Sequence, residues 1–157
     1  MAEYSREFGT DHLYNCDTFN EMDPISNDPE YIRETGKAIF AAIESHDSQA
    51  VWVMQGWLFH YAQDFWQEPQ IRAILSSVPS GAMIVLDLDS TYNEQFTRTE
   101  SYYGLQPFIF NDLNNFGGSL GLYGRFDNIN ELPQKARNLA NSTLIGSLKH
   151  KKLPHRL

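Results

Sequence analysis

Ala82 to Leu88 reads AMIVLDL, a continuous apolar run that closes on an acid, Asp87. Such a run, short and without polar alternates, suits a strand buried on both faces, as in a parallel sheet covered by helices. Upstream, Pro79-Ser80-Gly81 stops a stretch from Phe65 to Val78 whose Ile71, Ile74, Leu75 and Val78 fall at helical spacing. Downstream, Gln106 to Leu113 (QPFIFNDL) repeats the same pattern, apolar first and polar at its end. Ala50 to Phe59 (AVWVMQGWLF) is another short, branched and aromatic run. Before it, Asp28 to Ser45 carries Tyr31, Ile32, Ala38, Ile39, Ala42 and Ile43 on one helical face, with Pro29 suited to a first turn. A strand from His12 to Phe19, a helix near Leu132 to Ala140 and a strand near Ser142 to Leu148 complete the series. Five strands alternating with helices predict parallel βαβ units.

An open doubly wound sheet and part of a closed barrel both fit that alternation. The strand ends favour the barrel. Glu21, Gln55-Gly56-Trp57, Asp87 and Asn111-Asp112 stand at the same end of four successive strands, and a barrel gathers such groups on one rim. Glu21 lies in Asp17 to Pro24 (DTFNEMDP), where the first strand runs out into a loop, and is the candidate proton donor. Position alone leaves an ordinary solvated turn open, because Asn, Asp and Pro are common turn formers. A full barrel takes about 250 residues. At 157 residues this chain makes a single partial domain, lacking roughly three strands.

Hydrophobic residues at 41% and charged ones at 20% describe a globular chain rather than a disordered one. Its aromatic residues suit a core or a ring-binding cleft. A net charge of −8 argues against nucleic acid as a partner, since phosphate binding needs clustered Lys and Arg. The basic group Lys149, His150, Lys151, Lys152, His155 and Arg156 reads as a solvated tail. Cys16 is the only cysteine, which excludes an intrachain disulfide and a thiolate zinc cluster. Neither metal nor cofactor is expected. Met1 to Leu13 lacks the apolar core of a secretion signal, and no apolar run approaches the ~20 residues needed to cross a bilayer. Asn141-Ser142-Thr143 is a glycosylation sequon, relevant in a secreted chain. The loop Asn114 to Gly124 (NNFGGSLGLYG) spaces its glycines as GGxxGxxG with no Lys-Ser/Thr after them, so it reads as a loop lying against a pocket rather than a phosphate cradle.

Six segments in register resemble one family: DTFNEMDP (17 to 24), AVWVMQGWLF (50 to 59), LDL (86 to 88), TRT (97 to 99), QPFIFNDLNNFGG (106 to 118) and NST (141 to 143). Over about residues 14 to 146 the chain is similar to the second half of the catalytic barrel of the α-N-acetylglucosaminidases, lysosomal heparan-sulfate exoglycosidases and their bacterial relatives. The resemblance implies the C-terminal half of a (β/α)8 TIM barrel and a retaining glycoside hydrolase that removes terminal α-linked N-acetylglucosamine. Retaining enzymes set two carboxyl groups about 5–5.5 Å apart, one as acid/base and one as nucleophile. Glu21 falls on the family's acid/base position. Asn20 falls on the adjacent substrate contact, Trp57 on a wall of the sugar pocket, and Leu88, Leu113 and Phe116 on further enclosing positions. Asn114 departs from the family's usual histidine.

The family's nucleophile, a glutamate in a Gly-Met-x-Pro-Glu-Gly run, falls by spacing near Lys152 in a divergent basic stretch, 147 to 157. No Asp or Glu follows Glu131. Asp87 and Asp112 remain near strand ends, where core and supporting roles are expected. A partial barrel would leave strand edges unpaired, and a partner could complete it. The expectation is therefore an inactive fragment of a hydrolase, or alternatively a catalytically dead sugar-binding or assembly module that keeps Trp57 and Asn20.

Overall fold

The computed structural model describes residues 2–113 and 125–150. Five parallel strands form one sheet in the order β1 (Leu13–Asn15), β2 (Val51–Gln55), β3 (Met83–Asp87), β4 (Phe108–Leu113) and β5 (Leu144–His150). Sequential order matters. Crossovers of one hand between successive neighbours put every connecting helix on the same face, which is barrel winding. A doubly wound sheet reverses its order and puts helices on both faces. Burial agrees with the barrel. Trp52, Met54, Met83, Val85, Phe108 and Phe110 are at most 2% exposed, while their alternates Val51, Val53, Ile84, Leu86 and Ile109 are half-buried. The strands expected to be buried on both faces are thus covered on one; in a closed barrel the other face packs against the opposite wall.

The helices follow from caps and stripes. In α2 (Pro29–Glu44) Asp28 accepts from the Glu30 N–H at 3.0 Å and Pro29 occupies the first turn. Ile32, Gly36, Phe40 and Ile43 then recur on one buried face, against α4 (Glu68–Leu75). The two helices cross closely at Gly36, where a Cβ would lie 2.2 Å from Ser77 Oγ.

Several boundaries differ from expectation, each for a local reason. The first strand was expected to reach Phe19 but ends at Asn15; Cys16 O already accepts from the Trp52 indole at 2.8 Å, and Phe19 takes a left-handed φ of 57°. The apolar run Ala50 to Phe59 divides in two, β2 and the short helix α3 (Trp57–Tyr61). Gly56 makes the break: its N–H donates to Leu86 O at 2.8 Å, and a Cβ there would stand 2.7 Å from that same oxygen. The helix expected from Phe65 begins only at Glu68, with Pro69 in its first turn. The helix expected from Leu132 is α6 (Phe126–Arg137), which starts earlier and holds Pro133 inside it. β5 continues to His150, into the stretch expected to diverge, with Asn111 opposite Leu148 and Leu113 opposite His150. Two helices were not foreseen, α1 (Ala2–Phe8) and α5 (Gln95–Arg98). No helix among the described residues is long and apolar enough to cross a membrane.

Candidate active site

Because all five strands are parallel, the loops after β1, β2, β3 and β4 leave the sheet at one edge. Glu21, Trp57, Leu88 and Leu113 stand on that edge. Glu21 is exposed in the loop after β1, and the loop is tied down on both sides of it. Before it, Cys16 O holds the Trp52 indole and the Phe19 ring packs on the buried Trp66 at 5.9 Å between centroids. After it, Pro24 is buried and Asn27 O accepts from Gln70 Nε2 at 2.7 Å. Between these anchors the chain turns sharply: Phe19 and Glu21 both have left-handed φ, 57° and 51°. Non-glycine residues adopt that region at a cost of about 1–3 kcal/mol each, a strain that concentrates at functional loops. Asn20, at the crest of the turn, is exposed.

Trp57 opens α3 directly after Gly56. It is half-buried, and its ring meets the His60 imidazole edge-on at 5.0 Å. Leu88 is half-buried at the first residue of the turn after β3, and Leu113, last in β4, is half-buried on the same sheet face as Ile109. Glu21 and Asn20, both exposed, and Trp57, Leu88 and Leu113, all half-buried, thus stand along one edge of the sheet. Phe116, Asn114, the glycines of residues 117–124 and Lys152 lie outside the described residues.

Asp87, level with this edge, points the other way. It is fully buried on the helix-covered face, opposite Phe110 in the sheet register, and accepts from the Phe96 N–H at 2.9 Å. Burial pushes its carboxyl up to about 7, against the lowering effect of the Phe96 bond. The Tyr102 hydroxyl is near enough to temper this, yet both it and Asp87 Oδ1 lack a well-formed partner, so burial governs. Asp89, with a left-handed φ of 59°, is pushed up to about 6 by partial burial and then by the charge of Asp112. Asp112 is buried and takes a 3.4 Å hydrogen bond from Thr91 Oγ1. These are structural placements. Among the described residues no group of three or more His, Cys, Asp or Glu could hold a metal ion.

A concavity of about 710 Å³ lies away from this edge, between α1 and β1, and is lined by Tyr4, Phe8 and Tyr14 among others. A smaller one, of about 500 Å³, lies between the loop that carries Glu21 and the one that follows α3, with Asp23 and His60 in its wall.

Comparison with known proteins bears on the geometry directly. The family model described as "Alpha-N-acetylglucosaminidase (NAGLU) tim-barrel domain" matches residues 1–149. The chain belongs to the α-N-acetylglucosaminidase family. Human α-N-acetylglucosaminidase is 46% identical over 147 residues, which are 94% of this chain and 20% of the human protein. The chain therefore spans about a fifth of that relative's length. Among solved structures, a family 89 glycoside hydrolase from Clostridium perfringens in complex with PUGNAc matches with a TM-score of 0.66 at 26% identity, over 94% of this chain and 16% of that one. A second from the same bacterium, holding 2-acetamido-1,2-dideoxynojirmycin, matches with a TM-score of 0.61 at 26% identity and the same coverage. A third, holding GlcNAc-alpha-1,4-galactose, shares the fold at 24% identity with a TM-score of 0.63, again over 94% and 16% of the two chains.

In this α-N-acetylglucosaminidase-family barrel one positioning residue was visible only as part of the TRT segment. Arg98 donates through its guanidinium to Phe59 O at 2.9 Å, Trp66 O at 3.2 Å and Gln95 Oε1 at 2.7 Å. It thereby fixes both ends of the turn between α3 and α4, on which Trp57 and the Phe19 anchor Trp66 depend. An ammonium cannot reproduce that planar fork. Arg98→Lys is expected to lower stability by about 1–3 kcal/mol, read as a fall in the denaturant midpoint.

Proposed function

We propose that this edge is the acid/base half of a retaining hydrolase site that removes terminal α-linked N-acetylglucosamine, with heparan-sulfate-type glycans as the class implied by family. The observation that carries the reading is the anchored, strained loop that holds Glu21 at the C-terminal end of a barrel strand, where barrel enzymes keep their working groups. Glu21 protonates the leaving glycosidic oxygen, then takes a proton from the water that releases the sugar. A carboxyl in this role must be protonated at the start, which calls for desolvation or a second carboxylate nearby. The family's second carboxylate, its nucleophile, falls by spacing at Lys152 in this sequence, and no Asp or Glu follows Glu131, so these residues alone supply only the acid/base half of the pair.

Asn20 supplies an amide to a sugar hydroxyl beside the scissile bond. Trp57 supplies a flat apolar face and an indole N–H, suited to a pyranose ring bearing an acetamido group. Leu88, Leu113 and Phe116 close the apolar side of the pocket. A glycan on Asn141, which is exposed in the turn before β5, would stand at the opposite edge of the sheet and leave the site clear. The family setting is lysosomal for its animal members.

The test is hydrolysis of a nitrophenyl α-N-acetylglucosaminide by the full-length protein, with the anomer released followed by NMR. Release of the α-anomer first is the expected result. Release of the β-anomer first, or turnover only of other α-glycosides, would reject the reading.

A further inference from the structure

Away from the proposed site, one segment takes a backbone that L-residues avoid. Glu100, Ser101, Tyr102 and Tyr103 are left-handed in succession, with φ of 47°, 62°, 53° and 55°, and Gly104 extends the run at 68°. Residues other than glycine visit this region singly rather than in runs, so the surroundings must hold the turn in place. Part of that hold comes from the glycosylation sequon. The Thr143 N–H donates to Ser101 Oγ at 2.8 Å, and the Thr143 hydroxyl donates to Ser101 O at 3.2 Å. A Cβ on Gly104 would stand 3.8 Å from Asn141 Cβ, so the end of the turn lies against the sequon's own asparagine. Between the two segments is a concavity of about 240 Å³ with Asn141 in its wall. That is just under the ~300–1,000 Å³ of drug-sized sites, so the space suits one sugar ring rather than a chain. Tyr103, half-buried, lines it, and the Arg72 guanidinium braces the ring at 3.9 Å from its centroid. Leu139 adds an apolar side chain, and Thr97 and Glu100 add polar ones.

We propose that an N-glycan on Asn141 folds its first N-acetylglucosamine back into this concavity, against Tyr103, and so fastens the left-handed turn to the sequon. The proposal is independent of the hydrolase reading. Attachment joins Asn141 Nδ2 to the anomeric carbon of a lipid-diphosphate-linked oligosaccharide; the amide gives up one proton and the lipid diphosphate leaves. The fold engages the Thr143 hydroxyl, which the sequon requires, so attachment precedes closure of the turn. Asn141 is exposed at the wall of the concavity, so the bond itself supplies most of the ordering that a free sugar would lack. Weak contacts then suffice. A pyranose offers an apolar face of C–H groups to the tyrosine ring, and its acetamido and hydroxyl groups suit Arg72, Thr97 and Glu100.

The test is amide hydrogen exchange, read by mass spectrometry on the full-length protein secreted from a eukaryotic host that makes high-mannose glycans. Residues 98–105 are the reporter, where the Tyr103, Gly104 and Leu105 N–H groups are all hydrogen-bonded. Trimming every glycan to a single N-acetylglucosamine is expected to leave exchange in this segment unchanged. Asn141→Asp, which removes that sugar and keeps a residue tolerant of the left-handed backbone, is expected to speed exchange about three- to tenfold. Enzymatic release of the whole glycan from the folded parent also leaves an aspartate, and makes the same comparison without a variant that must fold. The sugar's effect is expected to persist in Tyr103→Phe, which keeps the ring, and to vanish in Tyr103→Ala. Asn141 unmodified in the secreted protein, protection already lost on trimming, exchange indifferent to the sugar, or an effect undiminished in Tyr103→Ala would each overturn the proposal.

Discussion

Glu21→Gln is expected to lower kcat/KM of the full-length protein for a glycan substrate by about 10²–10⁴-fold, the usual contribution of a positioned general acid/base. Glutamine keeps the shape of the side chain and the left-handed backbone at this position, so the loop anchors at Cys16, Phe19, Pro24 and Asn27 remain. The loss should depend on the leaving group. An activated dinitrophenyl glycoside departs without protonation, so its first step is spared and the slow release of the bound sugar limits turnover instead. Comparison of kcat/KM for the two substrates checks this. An equal loss for both would mean that the substitution disturbs the loop rather than the proton transfer.

Asp87 carries the second large effect, on stability. Its carboxyl is pushed up to about 7 in the folded protein, from an ordinary value of 3.8. Between those values the folded state holds a proton that the unfolded chain has released, so stability falls as pH rises. The contribution is fully present below about pH 4 and is lost as pH rises through about 7, by at most about 4 kcal/mol. Asp89, pushed up to about 6, acts in the same direction. Asp47 acts in the opposite one. Its hydrogen bond with His12, and then the Gln49 N–H and Tyr14 bonds, hold it down at about 2; its contribution is present above the ordinary carboxylate value and lost as pH falls through 2. The fold is therefore expected to be most stable in mild acid. In thermal denaturation Tm should rise as pH is lowered from about 8 to about 5, and Asp87→Asn should be more stable than the parent at the upper end and much less dependent on pH. A parent Tm that is flat across that interval, or an equally steep Asp87→Asn, would contradict the assignment.

The contrast between Asp87 and Glu21 shows what could be read in the sequence and what could not. Both acids were visible at strand ends. Which of the two faces the core depends on strand alternation: Asp87 shares the helix-covered face with Met83 and Val85, whereas Glu21 lies beyond its strand, in a loop pinned by contacts distant in the chain. The βαβ alternation was legible because AMIVLDL and QPFIFNDL have no helical period. The division of AVWVMQGWLF was not, since its apolar character continues through Trp57 and Leu58; only the approach of Gly56 to Leu86 O reveals the break. α6 was placed late because its first turns bury little, with Leu132 and Ala136 its only buried residues. α5 and Arg98 gave no periodic signal at all, though the TRT segment marked their place.

The proposed sugar pocket was legible only through resemblance. Trp57, Leu88 and Leu113 are ordinary barrel residues by pattern, and what sets them apart is the edge that the parallel register gives them.

Chemical rescue tests the central assignment most directly. Glu21→Ala in the full-length protein, given a dinitrophenyl α-N-acetylglucosaminide and azide, is predicted to recover turnover and to yield a glycosyl azide of retained α configuration, because the small anion enters where the acid/base once activated water. A β-configured azide would make Glu21 the nucleophile instead, and hydrolysis undiminished without azide would remove Glu21 from the chemistry altogether.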